Sequence, residues 1–198
     1  TVVFVFDTNP YTVSACTGVN GTLVVNEPTE VNHNEGTTVT VKADYANGYH
    51  IVSITDGRGN DITLDNNTDT TYTYEVNNVV TDVEVCATFA LNTFKITATA
   101  GENGTIIPEG DTIVTYGDMI DFVIEPNHTC YYISNILVDG ESVWTGYTDS
   151  VSAYTHTIDV STFDPAVVDH TITTEYTIFE YEMASNAYTE GTVSSATV

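Results

Sequence analysis

Apolar and polar side chains alternate along most of this chain in short runs that turn residues separate. Residues 39–44 read Val-Thr-Val-Lys-Ala-Asp, and residues 83–89 read Val-Glu-Val-Cys-Ala-Thr-Phe. A period of two residues places one set of side chains on each face of a β-strand. A period of 3.6 residues is sustained nowhere, and only residues 162–168, around Pro165, are expected to form one helical turn. The pattern therefore predicts an all-β protein.

One stretch of the chain is written twice. Residues 48–57 read GYHIVSITDG, and residues 131–140 read YYISNILVDG, each ending in an Asp-Gly pair that reverses a strand. The match extends upstream, because residues 94–98 repeat residues 11–15 at a spacing of 94 − 11 = 83. A duplicated strand-and-turn pattern indicates a duplicated module. We predict two tandem, small β-sandwich-like modules, residues 11–90 and 94–178, joined by a linker at residues 90–93 that is too short for independent tumbling.

The two ends of the chain lie outside this repeat. Residues 1–10 are predicted to be an extra N-terminal strand, because apolar side chains occupy consecutive positions at Val2, Val3, Phe4, Val5 and Phe6. Such a run favours burial on both faces. We interpret it as a strand donated to a neighbouring copy; the alternatives are pairing with its own chain's first sheet or membership of an upstream repeat. Residues 179–198 read as a C-terminal tail.

The order of motifs carries a resemblance to a known family. Both copies have an aromatic opening strand, then Gly-x-Asn-Gly-Thr (residues 18–22 and 101–105), and then the repeated stretch with its Asp-Gly turn; residues 71–74 of the first copy read Thr-Tyr-Thr-Tyr. This order resembles the divergent internalin B-repeat family, small β modules of bacterial and archaeal secreted and cell-surface proteins. The resemblance implies a surface or secreted setting and brings no catalytic residues. The three cysteines and the near-absence of Lys depart from the family's pattern.

Charge narrows the classes of partner. Three Lys or Arg residues stand against 28 acidic ones, for a net charge of −25. Such a chain has no footprint for nucleic acid, and anionic lipid would repel it. No apolar run approaches the ~18 residues of a membrane-spanning helix, so we expect no membrane insertion. We read residue 1 as a processed start, with any export signal already removed.

Acidic and amide side chains cluster at residues 56–61 and 65–69. Oxygen ligands of this kind suit Ca²⁺, but the 12-residue calcium loop with its terminal Glu is absent, and Asn and Asp are also ordinary turn residues. We therefore predict no cofactor, with calcium as the weaker alternative.

The cysteines and sequons suit an exported protein. Cys16 and Cys86 fall on the outward parity of the first and last strands of module one, so we predict a disulfide between them, with Cys130 unpaired. Candidate glycosylation sites are the four Asn-x-Ser/Thr sequons at Asn20, Asn66, Asn103 and Asn127.

No catalytic constellation stands out. The five histidines lack metal-binding spacing, and no nucleophile elbow or phosphate loop is present, so we predict that the chain is not an enzyme. The leading hypothesis is a secreted structural protein, a subunit of an extracellular filament, sheath or surface layer, whose partners are copies of itself joined by strand pairing. The alternative is an adhesive or carbohydrate-binding segment of a cell-surface protein, with Tyr131, Tyr132, Trp144 and Tyr147 as an aromatic platform.

Overall fold

The computed structural model describes residues 9–146 and 152–180, and this part of the chain is all-β. No helix within these ranges has the length and apolar character needed to cross a membrane. The first eight strands are β1 (Tyr11–Ala15), β2 (Gly21–Val25), β3 (Glu30–Val31), β4 (Thr37–Ala43), β5 (Tyr49–Thr55), β6 (Ile62–Thr63), β7 (Thr71–Val76) and β8 (Val83–Leu91). The next eight are β9 (Thr93–Ala100), β10 (Gly104–Ile107), β11 (Gly110–Thr115), β12 (Met119–Pro126), β13 (Tyr131–Val138), β14 (Glu141–Ser142), β15 (Tyr154–Asp159) and β16 (Asp169–Ile178).

Each set of eight strands forms a two-sheet, β-sandwich-like module. The first module pairs a five-stranded sheet, in the order β3-β1-β8-β5-β6, with a three-stranded sheet, β2-β4-β7. The second module has the orders β11-β9-β16-β13-β14 and β10-β12-β15. Adding eight to every strand number of the first module gives the strand orders of the second module. The repeat seen in the sequence is therefore a repeat of the whole topology.

The two modules also share their irregularities. In both, the first and last strands run parallel, with Val13 beside Val83 in one module and Ile96 beside His170 in the other. A bulge interrupts β5 after Ile51, and the equivalent bulge interrupts β13 after Ile133. A bulge adds a residue to one strand and bends it, so the doubled stretch carries the same bend in both copies.

Apolar side chains of alternating strand positions form one core in each module. In the first, Val39 and Val41 of β4 and Val83 and Val85 of β8 are buried. The core of the second module contains Phe94, Ile96, Ala98, Ile106, Val114, Phe122, Ile124, Ile133, Ile136, Ile158, Val160 and Ile172. Because the polar residues between them face solvent, the predicted period of two is the pattern by which the sheets bury one face.

The modules meet at Asn92, the single residue between β8 and β9. The connection in the structure is therefore shorter than the linker predicted at residues 90–93. Asn92 is buried; its N–H donates to the Gly48 carbonyl at 2.8 Å, and its carbonyl accepts from the Tyr116 N–H at 2.9 Å. The His50 Nδ1 lies 3.0 Å from the Asn92 Oδ1. Gly48 faces the Tyr116 ring so closely that a Cβ there would lie 2.2 Å from it. Hydrogen bonds to both sides therefore hold the joint.

The helical turn expected over residues 162–168 lies instead at Val160–Thr162, so only Thr162 belongs to both ranges. The Asp159 carboxylate caps this turn by accepting from the Ser161 N–H at 2.9 Å. Phe163 follows it and stacks on the ring of His170, with ring centroids 3.6 Å apart. Residues 162–168, an insertion that the first module lacks, are thus attached to β16 by an aromatic contact. Pro165 itself lies in a turn.

Candidate functional site

Strand pairing is the chemistry that the sequence predicts for this protein, so the unpaired strand edges are its candidate site. Each sheet has two edge strands: β3 and β6, β2 and β7, β11 and β14, and β10 and β15. An edge strand presents free N–H and C=O groups to any further strand. Three of these eight edges are six residues long, namely β7, β11 and β15, and the others are shorter.

The edge strand β11 pairs with β9 along its whole length, from Gly110 beside Ala98 to Thr115 beside Thr93. Val114 points into the core, whereas Ile113 points outward and is 69% exposed. In an antiparallel pair, alternate residues direct both backbone polar groups to the neighbouring strand, and the remaining residues direct theirs away. Asp111, Ile113 and Thr115 direct their backbone groups outward, and the Thr115 N–H and C=O are both hydrogen-bonded to Asp118. Among the described residues, the open part of this edge is therefore residues 110–114, with an exposed aliphatic side chain at Ile113.

Charge beside β11 is balanced locally. Lys95 lies directly across from Ile113 on β9, and its Nζ is 3.0 Å from the Asp169 carboxylate. The hydrogen bond to Asp169 raises the pKa of Lys95, so this side chain is cationic at neutral pH. The pair places one of only three strongly basic residues of the chain one strand from the edge.

The other long edges differ in character from β11. The outward residues of β7 are Thr71, Thr73 and Glu75, and those of β15 are Thr155, Thr157 and Asp159. The edge that corresponds to β11 in the first module is β3, which has two residues. Of the three six-residue edges, β11 is therefore the one that exposes a large aliphatic side chain.

Sequence reasoning missed β11, although a signal was present. Residues 111–115 read Asp-Thr-Ile-Val-Thr between Gly110 and the turn glycine Gly117. Thr, Ile and Val suit strands, and glycines at both ends are the punctuation of a strand. Which of the resulting strands lies at an edge depends on strand order, and local composition does not encode that order.

The predicted polymerisation strand, Val2, Val3, Phe4, Val5 and Phe6, lies outside the described residues. So do Tyr147 of the proposed aromatic platform and residues 181–198 of the predicted tail. Two other aromatics of that platform, Trp144 and Tyr132, are engaged in packing. Trp144 packs against the core and meets the Tyr154 ring edge-on at 4.9 Å, and Tyr132 lies 4.9 Å from Phe179.

The structure joins Cys16 to Cys86, whose Cα atoms are 5.0 Å apart. Cys130 is exposed and outside any disulfide. Cys16, Cys86 and Glu84 are the one group of three potential metal ligands found within the described ranges, and both sulfurs of this group are in the disulfide. A disulfide fits an oxidising environment.

The first acidic cluster, predicted as the weaker calcium alternative, is occupied by an internal cation. Asp56 is buried, and its Oδ2 accepts from the Arg58 side chain at 2.9 Å and 2.6 Å. Burial alone raises the pKa of the Asp56 carboxyl, but hydrogen bonds from the Arg58 side chain and N–H and from Asn60 outweigh it and lower the pKa to about 2. Burial, together with the adjacent Asp56 carboxylate, raises the pKa of Tyr74 to about 12.

The second acidic cluster serves the joint between modules. The Asn67 amide donates to the Thr93 carbonyl at 2.7 Å and accepts from the Thr93 N–H at 3.2 Å. The Asp65 carboxylate lies 3.3 Å from the His50 Nε2. These contacts are an ordinary structural use of turn residues.

The four sequon asparagines are all exposed and lie outside the strands. Asn20 and Asn103 occupy equivalent turns in the two modules, with φ of 70° and 73°. The Asn66 Oδ1 accepts from the Thr68 hydroxyl at 3.0 Å. Exposure is what glycan attachment requires first, and glycosylation of these four residues stays a prediction.

Two surface grooves deserve comparison with an active site. One, of about 440 Å³, runs along β7 and is lined by residues such as Asn60, Tyr72 and Glu75. The other, of about 590 Å³, is lined by Phe163, His170 and three aspartates, Asp139, Asp164 and Asp169. In this second groove the Asp139 carboxylate accepts from the His170 Nδ1 at 2.6 Å, and the ring is buried against Phe163. These contacts hold residues 162–168 against β16. That the chain is not an enzyme stays a prediction.

Comparison with known proteins gives no name to this arrangement: no protein-family model, no curated protein and no solved structure matches the chain. The resemblance to the B-repeat family therefore stays a prediction based on the motifs themselves.

Proposed function

We propose that this chain is a secreted structural protein, the subunit of an extracellular filament, sheath or surface layer that assembles by β-strand pairing between copies. The observation that carries this proposal is that the described residues form two modules with the same eight strands, while the sequence places a further apolar segment, residues 2–6, ahead of the first module. We take this segment as the strand offered to another copy.

The energetics favour donation of this segment. Burying Val2, Val3, Phe4, Val5 and Phe6 would contribute about 8–12 kcal/mol before the cost of ordering the segment. Main-chain hydrogen bonds to a sheet edge supply affinity, and side-chain pockets supply register. A head-to-tail contact of this kind does not close on itself, so it generates a fibre.

Composition supports an extracellular setting. The Cys16–Cys86 disulfide fits an oxidising compartment, and the net charge of −25 keeps single copies apart until a specific contact forms. The segment from Val2 to Phe6 contains no charged side chain, so it can approach an acidic neighbour without like-charge repulsion.

Deletion of residues 1–8 tests the proposal. We expect the truncated protein to remain folded, because the described cores contain none of these residues, and to stay monomeric where the full chain forms regular polymers. Electron microscopy and sedimentation of both proteins provide the measurement, with circular dichroism as the control for folding. Polymers of unchanged form from the truncated protein would refute strand donation, and binding of monomers to a glycan array would favour the adhesive alternative.

A further inference from the structure

We propose that the outer edge of β11 receives residues 2–6 of a second copy, an inference that rests on the proposed function and names its acceptor. A free edge must satisfy three conditions to take such a strand: sufficient length, unpaired backbone groups and an apolar surface beside it. β11 meets all three.

Length is the first condition. Five residues of extended chain, Val2 to Phe6, span about 17 Å, and a six-residue edge spans about 20 Å at roughly 3.4 Å per residue. β11 has six residues in continuous pairing with β9 and no bulge. The five-residue segment therefore fits opposite residues 110–114; Thr115 is left out because its outward N–H and C=O are hydrogen-bonded to Asp118.

Apolar surface is the third condition, after length and free backbone groups. The side chains of a strand alternate between two faces, so one row of the donated segment would continue the core layer beyond Val114. The other row would lie beside Ile113, which is 69% exposed. Because the segment is apolar in both rows, it matches an edge that has an apolar residue on each face.

The remaining edges fit less well. β7 and β15 are long but expose only Thr, Glu or Asp on their outward faces. β2 is one residue shorter than β11, and its exposed aliphatic side chain, Val24, is smaller and less exposed than Ile113, at 57% against 69%. β10 has four residues and is followed by Pro108, whose nitrogen cannot donate to a ladder.

The acceptor edge belongs to the second module and the donated segment precedes the first. A copy that receives a strand on β11 still has its own residues 2–6 available for the next copy. Repetition of this contact builds an open chain of copies, each oriented like the one before it.

The test replaces exposed edge residues by lysine in the full-length chain. We expect I113K to abolish polymerisation, because a charged side chain at the centre of an edge blocks strand addition. V24K and T73K are matched controls, since each adds the same charge at an exposed position of another edge strand, and both should polymerise like the unmodified chain. Equal melting temperatures for the three variants establish that the fold is retained.

A second measurement locates the contact directly. Protein lacking residues 1–8 is mixed with a synthetic peptide of residues 1–8, and amide hydrogen exchange is followed residue by residue. Slower exchange confined to β11 supports the assignment, and slower exchange along β2, β7 or β15 overturns it.

The outcomes separate the two proposals. If the truncated protein polymerises, strand donation itself is wrong. If truncation abolishes the polymer but I113K assembles normally, donation stands and β11 is not the acceptor.

Discussion

At the scale of single residues, one of the three strongly basic side chains of this acidic protein, Arg58, forms an ion pair with the buried Asp56. Arg58 holds the buried Asp56 carboxylate through its side chain and its backbone N–H, and it also donates to the Asn77 carbonyl at 3.0 Å. A buried carboxylate without such partners would be strongly destabilising. In this turn the Arg58 guanidinium is thus the internal cation that binds Asp56, and the calcium alternative stays a prediction.

This pair predicts a specific pH dependence of stability. The folded pKa of Asp56, about 2, lies below the ordinary value of 3.8, so its contribution is present above pH ~4 and is lost as the pH falls through the folded value. The shift corresponds to about 2 kcal/mol. We expect Asp56→Asn to lower the free energy of unfolding by about that amount at pH 6 and by much less at pH 2, measured by urea denaturation. A pH-independent difference between the two proteins would contradict the assignment.

At the scale of elements, the two modules use the same strand pair in different ways. β1 and β8 carry the disulfide Cys16–Cys86, and the equivalent strands β9 and β16 place Thr99 directly beside Thr173. Both pairs join the first and last strands of a module, which run parallel at the centre of the larger sheet. The bond is therefore an addition to a fold that forms its core without it.

We predict that Thr99→Cys with Thr173→Cys forms a second disulfide. Cys130 is first replaced by Ser, so that the exposed thiol cannot mispair. The bond would stabilise the second module by about 3–5 kcal/mol in the chain-entropy model, less any strain. Thiol titration and the melting temperature under oxidising and reducing conditions provide the measurement. Two free thiols that persist under oxidation would show that the modules differ here.

At the scale of the whole molecule, charge governs when copies can meet. The net charge of −25 and the isoelectric point near 4.1 mean that acid removes most of the repulsion between copies. Because Asp56 has a pKa of about 2, it remains ionised at pH 4 and continues to stabilise the fold there. Loss of the Asp56–Arg58 pair is therefore not a cause of association at pH 4, and circular dichroism at that pH checks that the fold is retained.

We expect dispersed protein at low salt to associate as the pH falls from 7 toward 4, because protonation of carboxylates relieves repulsion. Light scattering follows the association, and electron microscopy distinguishes regular polymers from isoelectric precipitate. Protein lacking residues 1–8 is the control and should give precipitate only. A full-length chain that stays dispersed at pH 4 would show that charge repulsion does not limit assembly.

Much of this fold could be read from local sequence. Alternation along residues 39–44 and 83–89 marks strands because each strand buries one face, and the doubled stretch marks two modules because equal patterns fold alike. Cys16 and Cys86 occupy outward positions of their strands, so they can form a disulfide once β1 and β8 lie side by side. The extra apolar run at Val2–Phe6 was also visible, because it precedes the first repeated strand, which begins at Tyr11.

Other features were decided only in three dimensions. The position of Ile113 on an edge strand follows from strand order; in an identical run at the centre of a sheet, its backbone would have a neighbouring strand on both sides. The role of Asn67 at the joint depends on Thr93, which lies 26 residues away in sequence. The local pattern determines which face of a strand is apolar, because side chains alternate with a period of two. The neighbouring strands in a sheet are determined by packing between segments that are distant in sequence. The sequence by itself therefore determined the strands and their repetition, and the tertiary structure decided which of the described strands lie at the edges of the sheets.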